Sequence, residues 1–322
     1  MTKKIKNIKI DISTIAPVIF LLTLMVIYTF ATKNFFTSTN FINILRQVSI
    51  TGVMAIGVTL VILLGEIDLS IATMMAFSGM LVSGLSTGLY FGLPPLPVAV
   101  CILITLVVCA FFGCISGFAN AKLGLPGFMA SLAMMFIIDG IMLMLTDARP
   151  IFGLSDEMMF LGGGRVFNIP MIIIVFIIVL IIGIIVLRHT VYGRNLYAIG
   201  GNKETARISG INVTRNVILT FMVCSTLAAL AGVLMVGRIG SGQVTAGDGL
   251  QLQPIAASVL GGASLMGGKG TLVGTLLGVL TMGVLVNGLN LLGQGSAVQW
   301  LTTGVVLFLA VAFNMFTSRR AR

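Results

Sequence analysis

The sequence predicts an all-α, polytopic integral membrane protein, and three observations carry that prediction. Apolar residues make up 57% of the chain and charged residues 9%; soluble domains have roughly 45–50% and 25%, so a water-exposed globule is excluded. The apolar residues gather into runs of about 17–24, the length a helix needs to cross ~30 Å of hydrocarbon at ~1.5 Å per residue. Cations sit at the ends of these runs and form no basic face interleaved with aromatics, so the net charge of +10 concerns topology and anionic lipid headgroups, not nucleic acid.

The chain opens with Lys3, Lys4, Lys6 and Lys9, followed by an apolar run from about Thr14 to Thr32. That run is too long for the core of a signal peptide and no small-residue cleavage site follows it, so it is the first span. Further spans are expected near 47–64, 70–88, 97–120, 127–146, 169–187, 216–236, 250–266, 271–292 and 297–316. This gives about ten in all, with a single broken element as the alternative for the pair around Gly65. No linker, charge block or low-complexity tract divides the chain, so residues 1–322 form a single transmembrane domain.

An even number of spans puts both termini on one side of the membrane. With the N-terminus inside, fourteen of the 19 Lys and Arg residues fall on inner segments; Lys33, Arg46, Arg149, Arg165 and Arg238 fall outside or at span margins. The positive-inside rule therefore places both termini and the polar stretch 188–215 in the cytoplasm.

That stretch is the longest polar interruption. Asn202 is a candidate N-cap, Glu204 suits a helix N-terminus, Arg207 suits a last turn, and Gly210 suits the C′ position, so a short helix is expected over Lys203–Ser209. At about 10 Å it is too short to be stable alone and must rest on the bundle or on a partner.

Glycine patterns point to helix packing. Gly113 with Gly117, and Gly270 with Gly274 and Gly278, recur every four residues and place small residues on one helix face. The pairs Gly261-Gly262 and Gly267-Gly268 would let the eighth span end or unwind, which is tolerated only where protein or a water-filled cavity satisfies the backbone. The segments Ala55–Gly65 and Ala257–Gly267 share a small-residue spacing that resembles a faint internal repeat. The four cysteines lie within apolar runs without CxxC spacing and read as small core residues.

No catalytic or metal-binding constellation can be assembled. Lys269 fails as a phosphate-loop lysine because Ala263 and Gly270 stand where Gly and Ser or Thr are needed. The single histidine, His189, suits a helix C-terminus beside Arg188. Intramembrane polar residues are the candidates for a translocation pathway because burying them is costly. These are Glu66, Asp68 and Ser70 after the second span, Gln251 and Gln253 at the start of the eighth, and Asn287 and Asn290 late in the ninth. Asp68 suits a helix cap as well as a pathway. The amides suit a neutral, polyol-like ligand, and equally suit hydrogen bonds between helices. Asp139, mid-span, should be protonated or find a partner in a neighbouring helix or subunit.

Ala198, Gly200, Asn202, Ala206, Ser209, Gly210 and Ile211 match the pattern A-x-G-x-N-x-x-A-A-x-x-S-G-I, with Thr205 replacing one alanine. On these residues the chain resembles the permease subunits of bacterial ABC importers for ribose, xylose, arabinose and galactosides. Asp68-Leu69-Ser70 matches the family's G-I-D-L-S signature, with Glu66 at the glycine position. Ile255-Ala256-Ala257, Leu260-Gly261-Gly262 and Ser264-Leu265 match a second stretch, in which Gln251, Gln253 and Pro254 replace Glu, Asp and Ala. Asp139 stands where relatives carry arginine.

The resemblance implies a permease subunit that moves a small sugar or sugar-like solute, a ribose-type monosaccharide before others, across the bacterial cytoplasmic membrane. It also implies a second permease subunit, a cytoplasmic ABC ATPase and an extracytoplasmic substrate-binding protein. ATP and Mg would be used by the ATPase, and no cofactor would be bound by this chain. Gly193, Arg194, Asn202, Ala206, Arg207, Ser209 and Gly210 are assigned to ATPase coupling. The alternative is a secondary transporter driven by an H+ or Na+ gradient through Glu66, Asp68 and Asp139.

Overall fold

The computed structural model describes residues 12–90 and 92–320. In chain order the elements are α1 (Ile12–Ala31), α2 (Ser38–Leu63), α3 (Ile71–Thr87), α4 (Val98–Leu123), α5 (Gly127–Thr146), α6 (Asp156–Gly163), β1 (Arg165–Val166) and β2 (Ile169–Pro170). They continue with α7 (Met171–His189), α8 (Val191–Gly201), α9 (Lys203–Ile208), α10 (Val213–Ile239), a 3-10 turn at Val244–Gly247, α11 (Gln253–Leu260), α12 (Leu272–Leu291) and α13 (Ser296–Arg320). Among the described residues six helices are long and apolar enough to cross a membrane, namely α2, α4, α5, α7, α10 and α12. Shorter apolar helices cover Pro17–Ala31, Ile71–Thr87 and Ser296–Ala312. The N-terminal lysines used in the topology argument, and Arg322, lie outside the described residues.

Helix α10 is the centre of the bundle, packed by α2, α3, α4 and α6. The expected glycine faces make this possible. A Cβ on Gly113 would lie 2.6 Å from the Phe221 carbonyl oxygen, and one on Gly117 would lie 2.7 Å from the Ile218 Cα. Backbones therefore touch where α4 crosses α10, as small residues allow between membrane helices. Gly274 and Gly278 of α12 meet the Gly261 and Ala257 carbonyls in the same way, whereas Gly270 lies before α12 begins and faces Ala263. All four cysteines are free, and Cys101, Cys109 and Cys224 are buried in the core.

Several boundaries differ from those expected. Helix α2 begins at Ser38, nine residues before the apolar run, because Thr37 accepts the Asn40 amide (3.3 Å) as an N-cap. The expected span over 250–266 is corrected: only Gln253–Leu260 is helical, about 12 Å, which does not reach across ~30 Å of hydrocarbon. Pro254 sits in the first turn and Gly261-Gly262 ends the helix. The rest of this stretch descends irregularly from the end of α10 to the start of α12. Gly242 lies beside Ser83, Gly247 beside Ala72, and Gly268 beside Leu63. Its backbone is satisfied locally, for example by the Ser264 amide donating to the Lys269 carbonyl (2.9 Å).

The second break is at Gly65, whose φ of +80° ends α2 in the left-handed region; residues 66–70 are non-helical and α3 follows as a separate helix. On the opposite face, α6 packs Met158 and Gly162 against Gly237 of α10, so part of the connection between α5 and α7 is buried.

Candidate functional site

The 188–215 stretch is more helical than a connector. Thr190 closes α7 and accepts the Gly193 amide (3.2 Å) as the N-cap of α8, a helix not expected from the sequence. Leu196 and Ile199 bury its apolar side. The Tyr192 and Thr220 hydroxyls lie 2.8 Å apart, fixing α8 to α10, and burial pushes the Tyr192 hydroxyl up to about 12, so it stays protonated at neutral pH. Tyr197 donates to the Gly270 carbonyl (2.8 Å). Gly193 is needed because a Cβ there would strike the Leu187 backbone, and Arg194 points outward, exposed.

Helix α9 has the caps its sequence implies. The Asn202 Oδ1 accepts the Thr205 amide at 2.8 Å, and Arg207 lies in the last turn. Gly210 has a φ of +83°, and the Ile211 amide reaches back to the Ala206 carbonyl (3.1 Å). The helix ends at Ile208 with Ser209 as its C-cap, one residue shorter than expected. Two side chains set what α9 presents. Ala206 is 4% exposed and covered by its own chain. Ile208 is 80% exposed beside exposed Lys203, Glu204, Thr205 and Arg207. It is the large apolar side chain that α9 exposes, and it falls on an unspecified position of the family pattern, which therefore did not single it out.

The expected pathway residues fall into separate places. Glu66 accepts the Gly127 amide (2.8 Å), so its carboxylate sits at the N-terminus of α5, where the helix dipole favours an anion. Asp68 is fully buried and accepts both the Ser70 amide (2.9 Å) and the Ser70 hydroxyl (2.6 Å) through Oδ1, with the Cys224 thiol beside it. It thus fixes the turn into α3. The Leu69 amide donates to Ser131 (3.0 Å), whose hydroxyl lies within 3.3 Å of the Ile67 carbonyl. Ser131 was missed because a lone serine in an apolar run carries no sequence signal.

Asn287 and Asn290 do not share a site. Asn287 exchanges hydrogen bonds with Asn40 of α2, while Asn290 is exposed and accepts from Gln299 of α13 (2.7 Å). Gln253 lines a small cleft with Gln47 and Thr51 of α2 and Val279 and Met282 of α12. Gln251 is half-buried two residues earlier. Asp139 lies near Thr73 of α3 and Asp248. A cluster of hydroxyls was also invisible in the sequence. Thr59 of α2 donates to Ser258 of α11 (2.9 Å) and lies 2.8 Å from Thr275 of α12, pinning the short helix inside the bundle.

Residues 40–313 match the family described as branched-chain amino acid transport system / permease component. The ribose import permease RbsC of Escherichia coli K12 is 40% identical over 295 residues, covering 90% of both chains. RbsC of Bacillus subtilis 168 is 40% identical over 302 residues, covering 93% of this chain and 92% of the relative. The L-arabinose transport system permease AraH of Escherichia coli K12 is 33% identical over 293 residues, covering 90% and 86%. No solved structure matches. The chain therefore belongs to the branched-chain amino acid transport system / permease component family, and within it to the sugar ABC importer permeases that these relatives represent.

Proposed function

We propose that this chain is the transmembrane subunit of an ATP-driven importer that moves a ribose-type monosaccharide across the bacterial cytoplasmic membrane, with both termini in the cytoplasm. The observation that carries this reading is α9, a helix capped at both ends that holds Ile208 80% exposed on a polar face. A docked partner explains why such a short element is built so firmly. The partners are a cytoplasmic ATPase that binds ATP and Mg, a second permease subunit and an extracytoplasmic binding protein; this chain itself holds no cofactor.

Gln253, Gln47 and Thr51 bring two amides and a hydroxyl together in a cleft with room for about one water, a polar lining of the kind a neutral, hydroxyl-rich ligand would use once the helices part. The relatives named for ribose and arabinose support the same class. The test is reconstitution with a partner ATPase and a substrate-binding protein. Uptake of labelled ribose should require ATP and persist when ion gradients are collapsed. Uptake by the permease alone, driven by a pH or Na+ gradient, would refute the reading.

A further inference from the structure

The last turn of α8, which leads directly into α9, is clamped between the two breaks in the bundle. Gly200 lies where a Cβ would run into the Leu63 carbonyl, and that carbonyl accepts the Gly268 amide at 2.9 Å. A Cβ on Gly267 would lie 2.8 Å from the Gly200 carbonyl oxygen and 2.9 Å from the Gly65 nitrogen, and one on Gly268 would lie 3.0 Å from the Gly201 nitrogen. Tyr197 adds the hydrogen bond to the Gly270 carbonyl, two residues before α12. Three backbone segments therefore meet without side chains between them: the end of α8, the turn after α2, and the loop between α11 and α12.

The loops on either side of this crossing lead to the polar interior. From Gly65 the chain passes to Glu66 and Asp68. From Gly268 it runs back through Gly261 to α11, which carries Gln253. Side-chain contacts absorb small displacements by changing rotamer, but touching backbones do not, and a shift of one is passed on to the others.

We propose that Gly200 and Tyr197 are the positioning residues through which a displacement of α9 is transmitted to α11, with the α8 end and the 267–270 loop moving as one body. This rests on the importer reading above. Neither residue belongs to the docking surface of α9, so a variant at either should leave ATPase binding intact and disconnect it from the interior.

The test uses the assembled permease–ATPase complex in nanodiscs, with Cys114→Ser to remove the half-buried thiol and Leu252→Cys as a reporter at the start of α11. Labelling of that cysteine by a hydrophilic thiol reagent should change between the nucleotide-free complex and one holding a non-hydrolysable ATP analogue. In Gly200→Ala this change should vanish while the ATPase still copurifies and its basal hydrolysis persists. Tyr197→Phe, which removes one hydrogen bond and leaves the packing, keeps the test valid if Gly200→Ala fails to insert. It should lower ligand-stimulated hydrolysis roughly fivefold, the value of about one net hydrogen bond. Nucleotide-dependent labelling and stimulation at parental levels in both variants would overturn the proposal. So would a parental reporter indifferent to nucleotide, since α11 would then not be a moving part. Failure of the importer reading is seen separately, as no ATPase copurifying with the unmodified chain.

Discussion

Asn40 and Asn287 face each other across α2 and α12 and exchange two amide hydrogen bonds, one of 3.0 Å and its return of 2.9 Å. Asn40 also donates to the Phe35 carbonyl (2.9 Å), so the pair ties the start of α2 to the end of α12 and to the turn after α1. Both residues are buried.

This geometry makes Asn287 a brace. Asn287→Leu should destabilise the protein by about 1–2 kcal/mol by leaving the Asn40 amide partly unpaired. The double variant Asn40→Leu/Asn287→Leu should recover part of that loss, because both polar groups are gone. Thermal unfolding in detergent of the single and double variants measures the coupling. A stable single variant with altered ligand preference would instead return Asn287 to the pathway.

Asp68 separates its two candidate roles by a conservative change. Asn retains an oxygen acceptor for the Ser70 amide and hydroxyl, so Asp68→Asn should fold and transport at near parental levels. Asp68→Ala should lose about 1–2 kcal/mol by leaving the buried Ser70 amide and hydroxyl without this acceptor. If Asp68→Asn is stable yet transport becomes inactive, the negative charge itself is required and holding the turn is insufficient.

Gln253 stands in the cleft with Gln47 and Thr51, and it opens α11, a short helix packed against α2, α12 and α13. Gln253→Leu should weaken transport about fivefold or more, from loss of ~1 kcal/mol per ligand hydroxyl, with ATPase copurification unchanged. Initial uptake rates for ribose and for a deoxy analogue distinguish a lost ligand contact from a general defect. The defect should shrink for the analogue that lacks the partnered hydroxyl.

The long apolar runs, the breaks at Gly65 and Gly261-Gly262 and the caps of α9 were legible because each has a local signature: hydropathy over a window, a glycine in the left-handed region, or an Asn and a Gly at fixed offsets. What escaped depended on contacts far apart in sequence. Thr59, Ser258 and Thr275 are unremarkable in three apolar stretches and meet only once the helices pack. Asn287 and Asn290, three residues apart, point to α2 and α13 because their partners Asn40 and Gln299 lie on different sides of α12. The start of α2 was placed late because Thr37 and Asn40 are polar, and a hydropathy window does not register an N-cap.

On α9, exposure decides what each substitution does. Ile208 projects into solvent while Ala206 is covered, so the two positions should fail in different ways. Ile208→Asp should abolish copurification of the ATPase, with a loss of about 2 kcal/mol or more expected for an apolar anchor, while the permease inserts and unfolds normally. Ala206→Glu should instead unseat α9 by burying an unpaired charge, visible as increased proteolysis within 202–211 even without the ATPase. Gly210→Val should also loosen α9, because a β-branched residue at a φ of +83° costs about 1–2 kcal/mol. Lys203→Ala, at an exposed first-turn position, should change stability by no more than about 0.5 kcal/mol. Parallel measurement of ATPase copurification and of protease sensitivity in the isolated permease sorts the four variants. Normal copurification in Ile208→Asp would mean that the exposed isoleucine meets the membrane surface and that the ATPase docks elsewhere.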